Sequence, residues 1–436
     1  MRIGLSTTIA LALTGSLATA AAAQLVFDGG RMDAAGAVER VGIASIKTAP
    51  GAPGGQLSVI DVRGVAQTRT LAETIALVPS AWAEGQPSPG AAAIDAWTLA
   101  GAPFIELIDG QRFVGRPGHI SANGETIAWL HERFGTLLFS LDEVARFVMR
   151  PSATEAVVPA SSSAKADTVW LVNGDRLEGF LESIGPRSGG EGFALTIDAG
   201  GTPVTIPVDQ IVRAQFANPR QALAGPVAWL ADGSVVRLAA IETDTQRSVL
   251  SLTASAARRA GGPAGAASES PGTVATAQFS TAELSAIAFD SSRVLPLAGL
   301  DFLSYRPIGL SRRPGPRIDA VDAIPAALGA ADVLLPGPME VEWALPTGVT
   351  RVVGTARLDD VDAVWGECVV VVELLTAGSA AREVARMKLG NTALLVPLTA
   401  DLGTTTAGDR LRVRVEPGEL GPIRDRVRLE RVLLLR

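Results

Sequence analysis

The sequence predicts an all-β protein, a series of small barrel-like repeats followed by a C-terminal β-sandwich. Three observations carry this reading. Short runs of β-branched and aromatic residues stop at Asp-Gly or Asn-Gly at Gly110, Gly174 and Gly233, which lie 64 and 59 residues apart. Such dipeptides are the strongest short-range hairpin signal. No long segment between them keeps a 3.6-residue apolar period, and from Asp332 onward the strands lengthen and alternate apolar with polar residues.

Residues 1–23 read as a signal peptide. Met1-Arg2 gives a short positive start, Ile3 to Ala18 is apolar and small, and Ala20 to Ala23 offers a small-residue site for cleavage before Gln24. The competing reading is a membrane anchor, which needs about 20 predominantly apolar residues. Here Ser6, Thr7, Thr8, Thr14, Gly15 and Ser16 interrupt the apolar stretch. The longest later apolar run, Cys368 to Val372, has the length of one buried strand. The chain is therefore expected to be exported, secreted or periplasmic, with no membrane span after cleavage.

Composition narrows the partners. Losing Arg2 with the signal peptide takes the formal charge from −7 to −8. A mildly acidic chain without basic clusters does not suit nucleic acid, whose binding rests on neutralising phosphates. Cys368 is the only cysteine, so packed cores rather than disulfides must hold the fold, and its place in a valine run suits a buried, inert thiol.

The repeats follow in order. A first and weaker copy, 24–82, opens at Leu25-Val-Phe-Asp-Gly-Gly30 and closes at Thr70 to Val78. The second, 101–150, opens at Phe104-Ile-Glu-Leu-Ile-Asp-Gly110 and closes at Phe139-Ser-Leu-Asp-Glu-Val-Ala-Arg-Phe147. The third, 166–220, runs from Val169-Trp-Leu-Val-Asn-Gly174 to Ile206-Pro-Val-Asp-Gln-Ile-Val-Arg-Ala-Gln-Phe216. The fourth, 225–292, runs from Val227-Ala-Trp-Leu-Ala-Asp-Gly233 to Phe279-Ser-Thr-Ala-Glu-Leu-Ser-Ala-Ile-Ala-Phe289. Four or five short strands per copy suit a small barrel of Sm-like or SH3-like kind, since closure removes exposed edges; pairs of repeats sharing one larger sheet are the alternative. Ala83 to Ala92 and Pro151 to Lys165 read as linkers, and 256–273 as a disordered insertion in the fourth repeat. Trp170 and Trp229 occupy matching places and read as core residues.

The last module, 295–436, shows six or seven strands parted by Gly, Pro and Asp turns, the pattern of a β-sandwich. Its order resembles the NPCBM type of carbohydrate-binding module, a galactose-binding-like jelly roll. The residues that carry the resemblance are Glu342-Trp-Ala-Leu-Pro346, Val349 to Asp360, Gly366-Glu-Cys-Val-Val-Val-Val-Glu373, Val396-Pro-Leu398, Leu411 to Val415 and Ile423-Arg-Asp-Arg-Val427. The lead-in Leu297 to Tyr305 is similar to that of exported bacterial proteins, familiar from planctomycete-type genomes, that place such a module after Sm-like repeats. The chain departs from the pattern twice. Leu335-Pro-Gly-Pro-Met339 carries no histidine where the family has Gly-x-His, and Val427, Arg428 and Leu429 stand where an aromatic usually follows Asp425.

The resemblance implies a non-catalytic binding protein whose partner is a polysaccharide or glycoprotein, with Asp359, Asp360, Trp365 and Asp425 as carbohydrate-binding candidates. Asp359, Asp360 and Asp362 with Trp365 read either as a ligand or calcium site or as a solvated turn before a core tryptophan. No cofactor and no transition-metal site is expected, because His119 and His131 are the only histidines. No G-x-S-x-G nucleophile elbow and no Gly-rich phosphate loop is present. The alternative is a structural scaffold of the cell envelope, meeting other envelope proteins, whose jelly roll has lost its ligand.

Overall fold

The protein is all-β. The structure, a computed structural model, describes residues 27–47, 55–61, 63, 65–79, 102–118, 126–151, 166–186, 193–244, 249–259, 274–309, 314–319, 325–359, 366–419, 421 and 425–436. Residues 1–23, 83–92 and 152–165, read from the sequence as signal peptide and linkers, lie outside these residues. Among the described residues no helix is long and apolar enough to cross a membrane.

Repeat 1 holds β1 (Phe27–Asp33), β2 (Val38–Lys47), β3 (Gln56–Ile60), β4 (Ala66–Thr70) and β5 (Thr74–Pro79). Repeat 2 holds β6 (Phe104–Leu107), β7 (Arg112–Val114), β8 (Arg116–Pro117), β9 (Thr126–His131), β10 (Gly135–Ser140) and β11 (Val144–Val148), its second strand being broken at Gly115. Repeat 3 holds β12 (Asp167–Leu171), β13 (Arg176–Pro186), β14 (Phe193–Asp198), β15 (Pro203–Pro207) and β16 (Ile211–Gln215). Repeat 4 holds β17 (Val227–Leu230), β18 (Val235–Asp244), β19 (Val249–Arg259), β20 (Val274–Phe279) and β21 (Leu284–Ala288). In each, an antiparallel meander runs from first to fourth strand, and the last strand returns beside the first. A single 3₁₀ turn precedes that return strand each time.

The hairpin turns explain the spacing of glycines. Gly36, Gly110, Gly174 and Gly233 have φ of 79°, 81°, 90° and 92°, a left-handed conformation that a Cβ disfavours. Each donates its N–H to the carbonyl three residues back, on Asp33, Leu107, Leu171 and Leu230. In repeat 1 the turn is not at Asp28-Gly29-Gly30, which pair within β1, but at Asp33 to Gly36. There the Asp33 carboxylate accepts the N–H groups of Ala35 and Ala37 at 2.8 and 3.0 Å, so one aspartate supplies what Asp-Gly supplies elsewhere. The fourth-repeat insertion also starts later than expected: Ala256 to Arg259 continue β19, with Arg258 and Arg259 paired to Leu138 and Leu137 of repeat 2. Residues 260–273 lie outside the described set.

Strands also pair between repeats, and two kinds of these contacts join matching positions. In the first, last strands meet: Phe147 faces Ala214 between repeats 2 and 3, and Leu77 faces Ile287 between repeats 1 and 4. All four are the fourth residue of their strand, so both contacts share one register. In the second, the hairpins of repeats 2 and 4 meet at Arg112 and Val235, each two residues past its turn glycine. Gln111 Oε1 accepts the N–H of Arg237 at 2.9 Å, and Ser234 Oγ accepts that of Val114 at 3.0 Å. These bonds are the same bond viewed from either side of a local two-fold axis. The spatial order is thus 3, 2, 4, 1, and one hydrophobic core that includes Ile43, Phe113, Trp129, Phe139, Leu195 and Leu250 runs through all four repeats.

The sandwich comprises β22 (Val294–Pro296), β23 (Phe302–Pro307), β24 (Arg317–Asp319), β25 (Asp332–Pro336), β26 (Met339–Ala344), β27 (Arg351–Leu358), β28 (Cys368–Leu375), β29 (Arg382–Leu389), β30 (Leu395–Asp401), β31 (Arg410–Pro417) and β32 (Arg426–Leu435). One sheet runs β24-β25-β32-β27-β30, with β22 also on β32; the other runs β23-β26-β31-β28-β29. Their inner faces enclose Trp343, Val341, Val370, Val372, Val413, Val427 and Leu429. The Trp343 ring packs on Phe302 at 5.4 Å between centroids. The alternating Arg410, Arg412 and Arg414 pair with Glu342, Glu340, Glu373 and Glu416, a ladder of opposite charges in which Glu340 and Glu373 are buried.

Sandwich and repeats share a third core. Val353, Leu433 and Leu435 from the outer face of the six-stranded sheet pack with Met32, Ile75, Ala76, Val227, Trp229 and Ala288. Arg351 donates to the Ala35 carbonyl at 2.9 Å and Arg293 to that of Ala72 at 3.0 Å. Trp229 is therefore a core residue, as expected. Trp170 is not: it is half-buried, with the Arg213 guanidinium 4.0 Å and that of Arg176 5.5 Å from its ring.

Candidate functional site

Two of the four sequence-predicted site residues stand together at one end of the sandwich. Asp359 follows β27 and Asp425 precedes β32, and these strands pair through Leu358 and Val427. Asp359 N–H donates to the Arg426 carbonyl at 3.0 Å. Its carboxylate lies 3.7 Å from both the Arg426 and the Arg428 guanidinium. Asp360 and Trp365, with Asp362, lie outside the described residues.

Asp425 is fully buried, so a direct contact with a sugar does not fit it. It lies close enough to Cys368 for its charge to act on the thiol. Burial first, then the charges of Asp425 and Glu367, push the Cys368 thiol up to about 12, which leaves it protonated and unreactive at neutral pH. Asp425 forms the floor of this end of the sandwich rather than its rim.

The residues that sequence reasoning passed over are the arginines around Asp359. Register across the outer face of the six-stranded sheet sets Arg317 beside Leu334, Leu334 beside Arg428 and Arg428 beside Arg357. Arg428 lies 3.6 Å from Asp332, and Arg357 lies 3.3 Å from Glu430. Burial and then the nearby Asp332 raise the pKa of Glu430, while burial lowers that of Arg431 beside it. The alternation Arg426-Val-Arg428 was the available signal, since it puts both arginines on one face. Chemically, this surface offers paired carboxylates and planar guanidinium forks, groups that bond well to hydroxyl-rich ligands. Among the described residues no group of three or more His, Cys, Asp or Glu could hold a metal ion.

The buried polar cluster between repeats 2 and 4 brings a histidine, a serine and an aspartate together. His131 Nε2 lies 3.1 Å from Ser234 Oγ and 3.4 Å from Asp232 Oδ2. His131 Nδ1 accepts the N–H groups of Arg133 and Phe134 at 3.0 and 3.3 Å, so the proton sits on Nε2. A hydrolytic relay needs the hydroxyl and the carboxylate on opposite ring nitrogens. Here both share one, and His131 and Ser234 are buried, so this cluster is a clasp between repeats.

Burial lowers the His131 pKa below 6.5 although Asp232 and Glu132 act to raise it, with Arg133 adding to the lowering. The fold keeps the ring neutral while the unfolded chain takes up a proton. Its contribution is complete above about pH 6.5 and is lost as pH falls from there toward the folded value. Wild-type thermal midpoints should drop between about pH 7 and about pH 5, and a His131→Phe variant should show a shallower drop from a lower start. Equal slopes in differential scanning fluorimetry would count against this assignment.

No family model matches the sequence, and no curated protein matches it. Among solved structures, the chain is similar to the CBM51-2 and INT domains of ZmpB from Clostridium perfringens, in complex with GlcNAc. Identity is 10%, over 45% of this chain and 37% of that one, with a TM-score of 0.26; the chain thus spans little more than a third of that structure. It is similar to the CBM51 of a Clostridium perfringens GH95 protein in complex with methyl-galactose, at 13% identity over 32% of this chain and 99% of that one, with a TM-score of 0.24. It is similar also to CsCBM6-3 from Clostridium stercorarium in complex with cellobiose, at 11% identity over 33% and 92%, with a TM-score of 0.20.

Proposed function

We propose that this chain is an exported, non-catalytic binding protein whose C-terminal jelly roll takes carbohydrate, while its four repeats hold that module as a rigid platform. The observation that carries the reading is the end of the sandwich around Asp359. The Asp359 carboxylate and the guanidiniums of Arg426 and Arg428 stand together where the chain, in sequence, next reaches Asp360 and Trp365. Hydrogen-bonding charged groups beside an aromatic ring are the working parts of a sugar site. The order of strands and turns that resembles NPCBM-type modules supports the same assignment.

The second reading, an envelope scaffold with no sugar ligand, draws support from the two missing family elements and from the core shared by repeats and sandwich.

Pull-down of the full chain on insoluble polysaccharides, with and without calcium, separates the two. Retention should be saturable, indifferent to chelation, and lost in Trp365→Ala. It should weaken by about tenfold in Asp359→Ala, the size expected when one charged hydrogen-bonding group is removed. Retention on no polysaccharide would leave the scaffold reading standing.

A further inference from the structure

We propose that repeat 3 is a self-association surface, through which two copies of the chain pair by the same hairpin contact that joins repeats 2 and 4. Two contacts recur in alternation along the order of repeats, beside further pairings of β10 with β19 and of β18 with β2. Last strands join 3 to 2, hairpins join 2 to 4, and last strands join 4 to 1. Continuing that alternation past repeat 3 calls for a hairpin contact, and the hairpin of repeat 3 is exposed.

The exposed edge carries the parts that the buried contact uses. Asp175 follows the turn glycine of repeat 3 and so stands where Gln111 and Ser234 stand in repeats 2 and 4. Those two residues each cap the N–H of the residue three positions further along the opposite hairpin, Arg237 and Val114. The equivalent N–H in repeat 3 belongs to Glu178. Both capping residues are fully buried in the contact between repeats 2 and 4, whereas Asp175, Arg176, Glu178 and Phe180 are all exposed. Phe180, at 64% exposure, has the largest exposed fraction of the big hydrophobic side chains among the described residues.

The occupant is a second copy because the hairpin part of the contact is isologous. Residues two past each glycine face each other on the local two-fold, as Arg112 faces Val235. Applied to repeat 3, the same operation sets Arg176 opposite Arg176 of the second copy, with Glu178 of each chain on the diagonal. Arg176 already pairs with Glu178 on its own strand. Two copies would therefore bring together an alternating group of two arginines and two glutamates, in which every like charge has opposite charges as neighbours. Arg176 stacks toward Trp170 much as Arg112 lies 3.4 Å above the Phe104 ring inside the existing contact. A two-fold contact also closes, so it yields a dimer rather than a fibre.

The test uses the full chain. Sedimentation velocity should show a reversible monomer–dimer equilibrium in the range of about 1–100 µM, as a small two-fold interface gives. Glu178→Lys, which makes the central group entirely positive, should weaken it by about tenfold or more. Arg176→Cys should form a disulfide-linked dimer under mild oxidation, because residues opposite on a two-fold bring their Cβ atoms within disulfide reach. Glu182→Cys, exposed on the same strand but away from the axis, should not. Cys368 is buried with a raised pKa and adds no background. A monomer across the whole range, a dimer indifferent to Glu178→Lys, or equal cross-linking at positions 176 and 182 would overturn the proposal.

Discussion

Leu433→Ala should cost about 3 kcal/mol and lower the unfolding of repeats and sandwich together, because a buried leucine cut to alanine loses its transfer free energy and leaves a cavity. Leu433 is fully buried, and its side chain belongs to the core that joins the outer face of β32 to repeats 1 and 4. Its neighbours there include Met32, Trp229 and Val353. If the sandwich were a module tethered to a separate platform, the same change would shift only its own transition. Calorimetry reads the difference directly: one displaced transition supports the shared core, and a displaced transition beside an unmoved one contradicts it.

Glu106→Gln should cost about 2 kcal/mol at neutral pH, since removing the carboxylate from a half-buried ion-pair cluster leaves two guanidiniums without it. Glu106 lies between Arg146, at 2.8 Å, and Arg220. Burial alone would raise its pKa, but the charges and hydrogen bonds of the two arginines outweigh burial and hold it below 4.5. A carboxylate lowered in this way stabilises the fold above its unfolded pKa, and that stability is lost as pH falls through the folded value. The gap between wild type and Glu106→Gln should therefore be full at neutral pH and shrink in acid, below the ordinary carboxylate range. Arg220 belongs to the segment between β16 and β17, which wraps repeat 2. Asn218 in that segment bonds the Leu141 and Val144 carbonyls, and Gln221 N–H bonds that of Ile108. A constant gap across pH would show that Glu106 acts through shape and not charge.

Much of the fold is legible in local sequence. Asp109-Gly110, Asn173-Gly174 and Asp232-Gly233 mark their turns because left-handed backbone selects for glycine. The first turn misleads for the same reason. Asp28-Gly29-Gly30 looks like a turn, but Asp33 makes a better one by capping two N–H groups. The order 3, 2, 4, 1 is not legible, because it depends on contacts such as Ser234 to Val114, 120 residues apart. Trp170 and Trp229 show the limit most plainly. They share a position in the repeat, and only the presence of repeat 1 and the sandwich beside repeat 4 buries one of them.

The candidate site divides in the same way. Asp359 and Asp425 come to neighbouring strands because the pairing of β27 with β32 aligns them. The burial of Asp425 follows from packing around Cys368 and could not be read from the run Ile423 to Val427. The Arg428 and Arg357 neighbourhood depends on sheet register, which alternation implies for each strand singly but not between strands.

The most direct measurement is a glycan array probed with the full wild-type chain beside Trp365→Ala and Asp360→Ala. Wild type should bind a defined set of glycans saturably, and both variants should lose that binding with thermal stability unchanged. A folded wild-type chain that binds no glycan, or variants that bind as well as wild type, would contradict it.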